Sequence, residues 1–154
     1  MMSHAHQVPA LDARDAAQAA EEIRARGMRL TAARRHLIEA LFAAEGPVSV
    51  EEIAAGLDGR VPSFDQASIY RNLETFESIG LVRHVHLGHG PGLYTLASEP
   101  APGYLVCDGC GARRAVKPEQ LQPVHEAIQD GLDFDASFSH FPIVGLCSSC
   151  ARSR

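Results

Sequence analysis

Four stretches of helical hydrophobic spacing fill the first half of the chain, and shorter alternating stretches follow. Asp12 is placed to cap a first helix running to about Arg26, with Gly27 as its stop. Thr31 opens a second, in which Leu37, Ile38, Leu41 and Phe42 form one apolar face before Gly46-Pro47 ends it. Ser49-Val50-Glu51-Glu52 reads as a capping box at the start of a short third helix, with Ile53 and Leu57 turned inward and Gly59 as its stop. After a loop through Pro62, a fourth helix is predicted from roughly Asp65 to Ile79. At about 100° per residue, Ile69, Leu73, Phe76 and Ile79 share one face, while Ala67, Tyr70, Arg71, Glu74 and Ser78 share the other.

Gly80 ends that helix, and the period changes. Leu81 to Leu87 and Leu93 to Leu96 are predicted to pair as a hairpin around the turn Gly88-His89-Gly90-Pro91-Gly92. Short helices followed by a hairpin are the order of a winged helix-turn-helix. Residues 97–103, with Pro100 and Pro102, read as a hinge. Beyond it come a strand into Cys107, a strand from about Ala112 to Val116, a helix from Pro118 to Gly131 and a last strand from about Ser137 to Leu146. Residues 1 to about 10 are polar, end at Pro9 and read as a disordered tail, on which His4 and His6 are surface residues.

Charge sharpens this division. The 154 residues carry a net charge of −5, which argues against indiscriminate nucleic-acid binding. Its distribution is uneven: Arg24, Arg26, Arg29, Arg34 and Arg35 lie close together, whereas every charged side chain from Glu119 to Asp135 is acidic. On the predicted fourth helix, an exposed aromatic beside an arginine in the first turns is what a groove-reading helix needs. Arginine bonds guanine or phosphate, and a tyrosine ring packs on a thymine methyl. The competing reading of Tyr70-Arg71 is a solvated helix face, and the winged-helix order of elements is what favours DNA.

Candidate chemistry is concentrated in the four cysteines, Cys107 and Cys110 in one C-x-x-C and Cys147 and Cys150 in another. Two residues between cysteines let a turn aim both sulfurs at one tetrahedral ion, and Gly109 and Gly111 relieve the first turn. Four thiolates leave no position for water or substrate, so the site predicted is a structural zinc, one per chain. A redox pair normally comes once, at the start of a helix after a strand. Disulfides suit a secreted chain, and Met1 to Ala20 has no apolar signal core, so a cytoplasmic location is expected. A thiol-disulfide or metal-handling protein stays open as the reading from another class; it gives Tyr70-Arg71 no task. No phosphate loop, Ser-His-Asp arrangement or open metal motif points to an enzyme, and no apolar run is long enough to span a membrane.

Several of these stretches, in order from about residue 21 to 150, resemble the ferric uptake regulator (Fur) family. They are Arg29-Leu30-Thr31 with Arg34, Ser68-Ile69-Tyr70-Arg71-Asn72-Leu73-Glu74, Gly80-Leu81-Val82, Cys107-x-x-Cys110-Gly111 and Gly145-Leu146-Cys147-x-x-Cys150. The resemblance implies an α/β (α+β) chain: a winged helix-turn-helix DNA-binding domain over residues 11–97, a hinge over 98–103, and a small C-terminal α/β dimerisation domain over 104–154 with the four-cysteine zinc site. It further implies a homodimeric, metal-responsive repressor of metal homeostasis genes that binds a double-stranded, palindromic DNA operator. Carried over to this chain, Tyr70 and Arg71 would face the operator, Ser68 would contact phosphate where the family usually has threonine, and Arg29, Thr31 and Arg34 would contact the DNA as well.

The chain departs from the family pattern at the sensor. The histidine-rich run usual before the first C-x-x-C is replaced by residues 99–106, which contain no histidine; Pro47 stands in place of a usual ligand and Thr95 in place of a frequent glutamate. His84, His86 and His89 on the wing, with His140 in the last strand, are the replacement set predicted for a second, regulatory divalent metal. Imidazoles of this number suit zinc, with nickel and iron less favoured. Glu99 is an additional oxygen donor at the hinge, and His125 reads as an ordinary helix residue. The alternative within the same fold is a regulator that no longer senses metal or senses another signal.

Overall fold

The computed structural model describes residues 8–44, 46–88, 90–97, 102–138 and 141–154. His4, His6, His89, Glu99 and His140 lie outside them. The chain divides into two compact units, Met1–His84 with Leu93–Glu99 and Val85–Gly92 with Pro100–Arg154. Among the described residues no helix is long and apolar enough to cross a membrane.

In the first unit, α1 (Ala16–Ala25) is capped by Asp15, whose Oδ1 accepts from the Gln18 amide at 2.8 Å, and not by Asp12 as the sequence suggested. The reason is tertiary. Leu11 is buried and its amide donates to the Gly80 carbonyl at 2.8 Å, which holds the preceding residues extended and delays the helix. Pro9 runs so close to Gly80 that a Cβ there would collide with the Pro9 carbonyl. Thr31 caps α2 (Ala32–Ala43), and Ser49 and Glu52 form the expected capping box on α3 (Val50–Ala54). That helix is short because Gly56, Leu57, Asp58 and Gly59 all take positive φ.

Asp65 caps α4 (Gln66–Ser78), its Oδ2 accepting from the Ser68 amide at 2.8 Å. Ile69, Leu73 and Phe76 are fully buried against Ile23, Leu37, Ile38 and Ile53, and this apolar core sets where α4 sits. Strands β1 (Val82–Val85) and β2 (Leu93–Leu96) form the hairpin, shorter than predicted on its first side. Val48 adds an antiparallel bridge to Tyr94, a pairing that no local pattern announced.

The second unit holds a sheet in the order β4-β3-β5, made of β3 (Gly103–Cys107), β4 (Arg113–Val116) and β5 (Ile143–Gly145). β4 runs antiparallel to β3, while β5 pairs parallel, with Cys107 opposite Gly145. Helix α5 (Pro118–Leu132) packs Leu121 onto the sheet at Gly103, where a Cβ would collide with the leucine. Among the described residues of the strand predicted over 137–146, only Ile143–Gly145 is a strand. The chain instead closes with α6 (Ser148–Arg152), which begins inside the second C-x-x-C.

Candidate metal centre and nucleic-acid interface

The parallel register of β3 and β5 explains how cysteines 37 positions apart meet. Both strands deliver a C-x-x-C to the same end of the sheet. After β3 the chain turns tightly: the Gly111 amide donates to the Cys107 carbonyl at 2.8 Å, and the Cys107 amide to the Ala112 carbonyl at 2.9 Å. Gly109 sits at the closest approach. A Cβ there would lie 2.8 Å from Cys150 Sγ and 2.9 Å from Cys150 Cβ. On the other side Cys147 precedes α6, and its amide donates to Cys107 Sγ at 3.2 Å.

The four ligand sulfurs lie within 4.8 Å of one another, and Cys110 Sγ and Cys147 Sγ are 3.9 Å apart. A metal–sulfur bond of about 2.3 Å in a tetrahedron separates sulfurs by about 3.8 Å, so the donor set fits a four-thiolate metal ion. All four cysteines are present as free thiols gathered at this one point. Amides of Cys147 and Cys110 pointing at Cys107 hold its thiol down to about 6. Hydrogen bonding to the sulfurs of Cys147, Cys107 and Cys110 pushes Cys150 up to about 12. Thiols packed this closely compete for their protons, and a cation resolves that competition.

On α4 the outward residues are Ala67, Tyr70, Arg71, Glu74 and Ser78, all exposed, with Tyr70 at 45% of its full surface. Ser68 is half-buried beside the Asp65 cap. Arg29 is exposed, and Thr31 uses Oγ1 as the acceptor for the Arg34 amide at 3.2 Å. Arg34 turns toward the protein: Nε donates to Asn72 Oδ1 at 3.2 Å and Nη1 to the Arg29 carbonyl at 2.6 Å. Asn72 had no role in the sequence reading. The only signal was its place in the Ser68–Glu74 motif.

β1 ends at Val85, so His86 lies beyond it, and the His84 ring stacks on Tyr94 with centroids 4.8 Å apart and planes at 12°. Among the described residues, the four cysteines are the group of three or more potential ligands close enough to share an ion. His125 packs its ring against Phe138. Burial, followed by the nearby Glu77, Tyr70 and Glu74, raises the Tyr94 hydroxyl above its ordinary pKa.

This architecture has known counterparts. The chain is 27% identical over 128 residues to the peroxide-responsive repressor PerR of Staphylococcus epidermidis, covering 83% of this chain and 85% of that one. It superposes on the ferric uptake regulator of Vibrio cholerae with a TM-score of 0.62 at 22% identity, over 82% of this chain and 98% of that one. A zinc uptake regulator complexed with zinc and DNA matches with a TM-score of 0.54 at 22% identity, over 90% and 93% of the two chains. At such identities the superpositions establish a shared fold. The model of the ferric uptake regulator family matches residues 25–139, which include the whole of α4, both wing strands and the first C-x-x-C, and on that span the chain belongs to this family of metal-responsive transcriptional regulators.

Proposed function

We propose that the protein is a cytoplasmic, homodimeric, zinc-responsive repressor that binds a palindromic DNA operator ahead of metal homeostasis genes. The observation that carries the reading is the Tyr70-Arg71 pair, exposed on a helix whose opposite face is fully buried. Arg29 and Thr31, at the lead into α2, and Ser68, in the first turn of α4, are further contacts. Two such helices, one per protomer, enter successive major grooves about 34 Å apart. Self-association is supported by large apolar side chains left exposed in the second unit, Leu132 at 75%, Phe134 at 64%, Phe141 and Val144.

Cys107, Cys110, Cys147 and Cys150 hold a structural zinc, which when bound cross-links the ends of β3 and β5 and makes the second unit a firm platform. A second metal is assigned to His84 and His86, with His89 and His140 outside the described residues. Its binding has to favour the DNA-competent arrangement by about 1–3 kcal/mol. Metal analysis before and after mild chelation should return one tightly held zinc per chain and one exchangeable ion. Replacing His84 and His86 together by alanine should abolish the metal dependence of DNA binding while leaving the cysteine-bound zinc in place. A full metal response in that variant would overturn the sensor assignment. One second reading has specific support: a regulator of this fold that responds to another signal, favoured by the His84 ring lying stacked on Tyr94 and by the similarity to a peroxide-responsive repressor. A metal titration with no effect on DNA affinity would select it.

A further inference from the structure

We infer that Arg34 and Asn72 form a brace that fixes the rotation of α4 about its own axis, so that Arg34 acts on DNA recognition as a positioning residue and not through a phosphate. The inference rests on the DNA-binding reading above and replaces the direct contact that the motif implied for Arg34.

The buried face of α4 is made of Ile69, Leu73 and Phe76, all apolar. Apolar packing fixes depth and tilt well, but it is non-directional and resists a small roll of the helix weakly. Hydrogen bonds supply direction. Asn72 is half-buried at the border of the two faces, next to Arg71 in sequence and one turn beyond Ser68. Its Nδ2 donates to the Ser68 carbonyl at 2.9 Å, and its Oδ1 accepts from Arg34 Nε at 3.2 Å. Through Nη1 on the Arg29 carbonyl at 2.6 Å, the same guanidinium is tied to the segment that leads into α2. The planar fork thus spans two elements 38 residues apart, and Tyr70 and Arg71 sit inside the turn it clamps. A lysine cannot reproduce this geometry, because its ammonium is a point charge on a flexible stem.

The test uses the full chain and a labelled duplex selected by the wild-type protein from a random-sequence pool. Affinity is measured across a range of salt for wild type, Arg34→Ala, Arg34→Lys, Asn72→Ala and the Arg34→Ala/Asn72→Ala pair. Each single alanine variant should weaken binding by about tenfold, and the pair by little more, since the two act as a unit. The slope of log affinity against log salt should stay at the wild-type value, and Arg34→Lys should bind as weakly as Arg34→Ala. A slope lower by about one unit for Arg34→Ala, or full rescue by lysine, would make Arg34 a phosphate contact, and wild-type affinity for Asn72→Ala would show that the brace does not position α4; each result ends the proposal.

Should Arg34→Ala fail to fold, Arg34→Lys and Asn72→Ala carry the comparison. Hydrogen exchange on DNA-free protein gives an independent arm. Amides of residues 69–72 should lose protection in both variants, and unchanged protection overturns the brace. A wild-type chain that selects no duplex would instead refute the DNA-binding reading and leave the exchange result to decide the brace.

Discussion

Gly109 shows how one missing carbon sets a whole site. Its Cα faces Cys150 so closely that a methyl group would meet both the sulfur and the carbon that bears it. Gly109→Ala is therefore expected to push the two C-x-x-C loops apart and lower affinity for the proposed zinc by at least about tenfold, as read by competition with a chromophoric chelator, because disturbing the groups that position a metal's ligands typically weakens the site by about 10–100-fold. Protons at the same cluster give a second prediction. Cys107 is held near 6 and Cys150 near 12, so at neutral pH the former is already a thiolate and the latter still carries its proton. Loading the proposed zinc would expel the Cys150 proton, so apparent affinity should climb as pH rises above 6. A chelator-competition series that stays flat with pH would contradict this. On α4, Tyr70→Ala and Arg71→Ala should each weaken duplex binding without changing thermal stability, since neither side chain is buried.

At the scale of elements, α4 depends on a cap and on a plug. Asp65→Ala removes the acceptor for the Ser68 amide and should cost about 1 kcal/mol of stability, measured by chemical denaturation. Leu73→Ala, at a fully buried position, should cost about 2–5 kcal/mol by the same measurement. The elements that the sequence announced are those governed by their own residues. Thr31, Ser49 and Asp65 are caps because their side chains reach amides three positions on, and α4 divides into its two faces by spacing alone. What escaped was decided by distant partners. Asp12 lost the capping role to Asp15 because Leu11 is pinned at Gly80, the Val48–Tyr94 bridge joins segments far apart, and Arg34 found an acceptor 38 residues away. In the second unit the apolar run after Ser137 looked like a strand, yet among its described residues only Ile143–Gly145 pairs, with β3. The four cysteines, in contrast, were legible at once, since doubled spacing of one residue type survives any error in the elements between them.

For the molecule as a whole, the exposed apolar surface of the second unit supports the proposed self-association. Val124, Ile128 and Leu132 continue the stripe begun by buried Leu121 along α5, and Phe134 follows just past its end. Placing a charge there, as in Leu132→Asp with Phe134→Asp, should shift the proposed dimer to monomer in sedimentation while the proposed cysteine-bound zinc is retained. The parallel pairing of β3 with β5 reaches further still. Everything between Cys110 and Cys147, α5 included, is a closed bight of chain whose neck the four sulfurs gather. A protease that nicks the bight beyond Asp133 would cut the covalent thread without parting the pieces. Both fragments should travel together on a native gel and separate only when a chelator strips the knot.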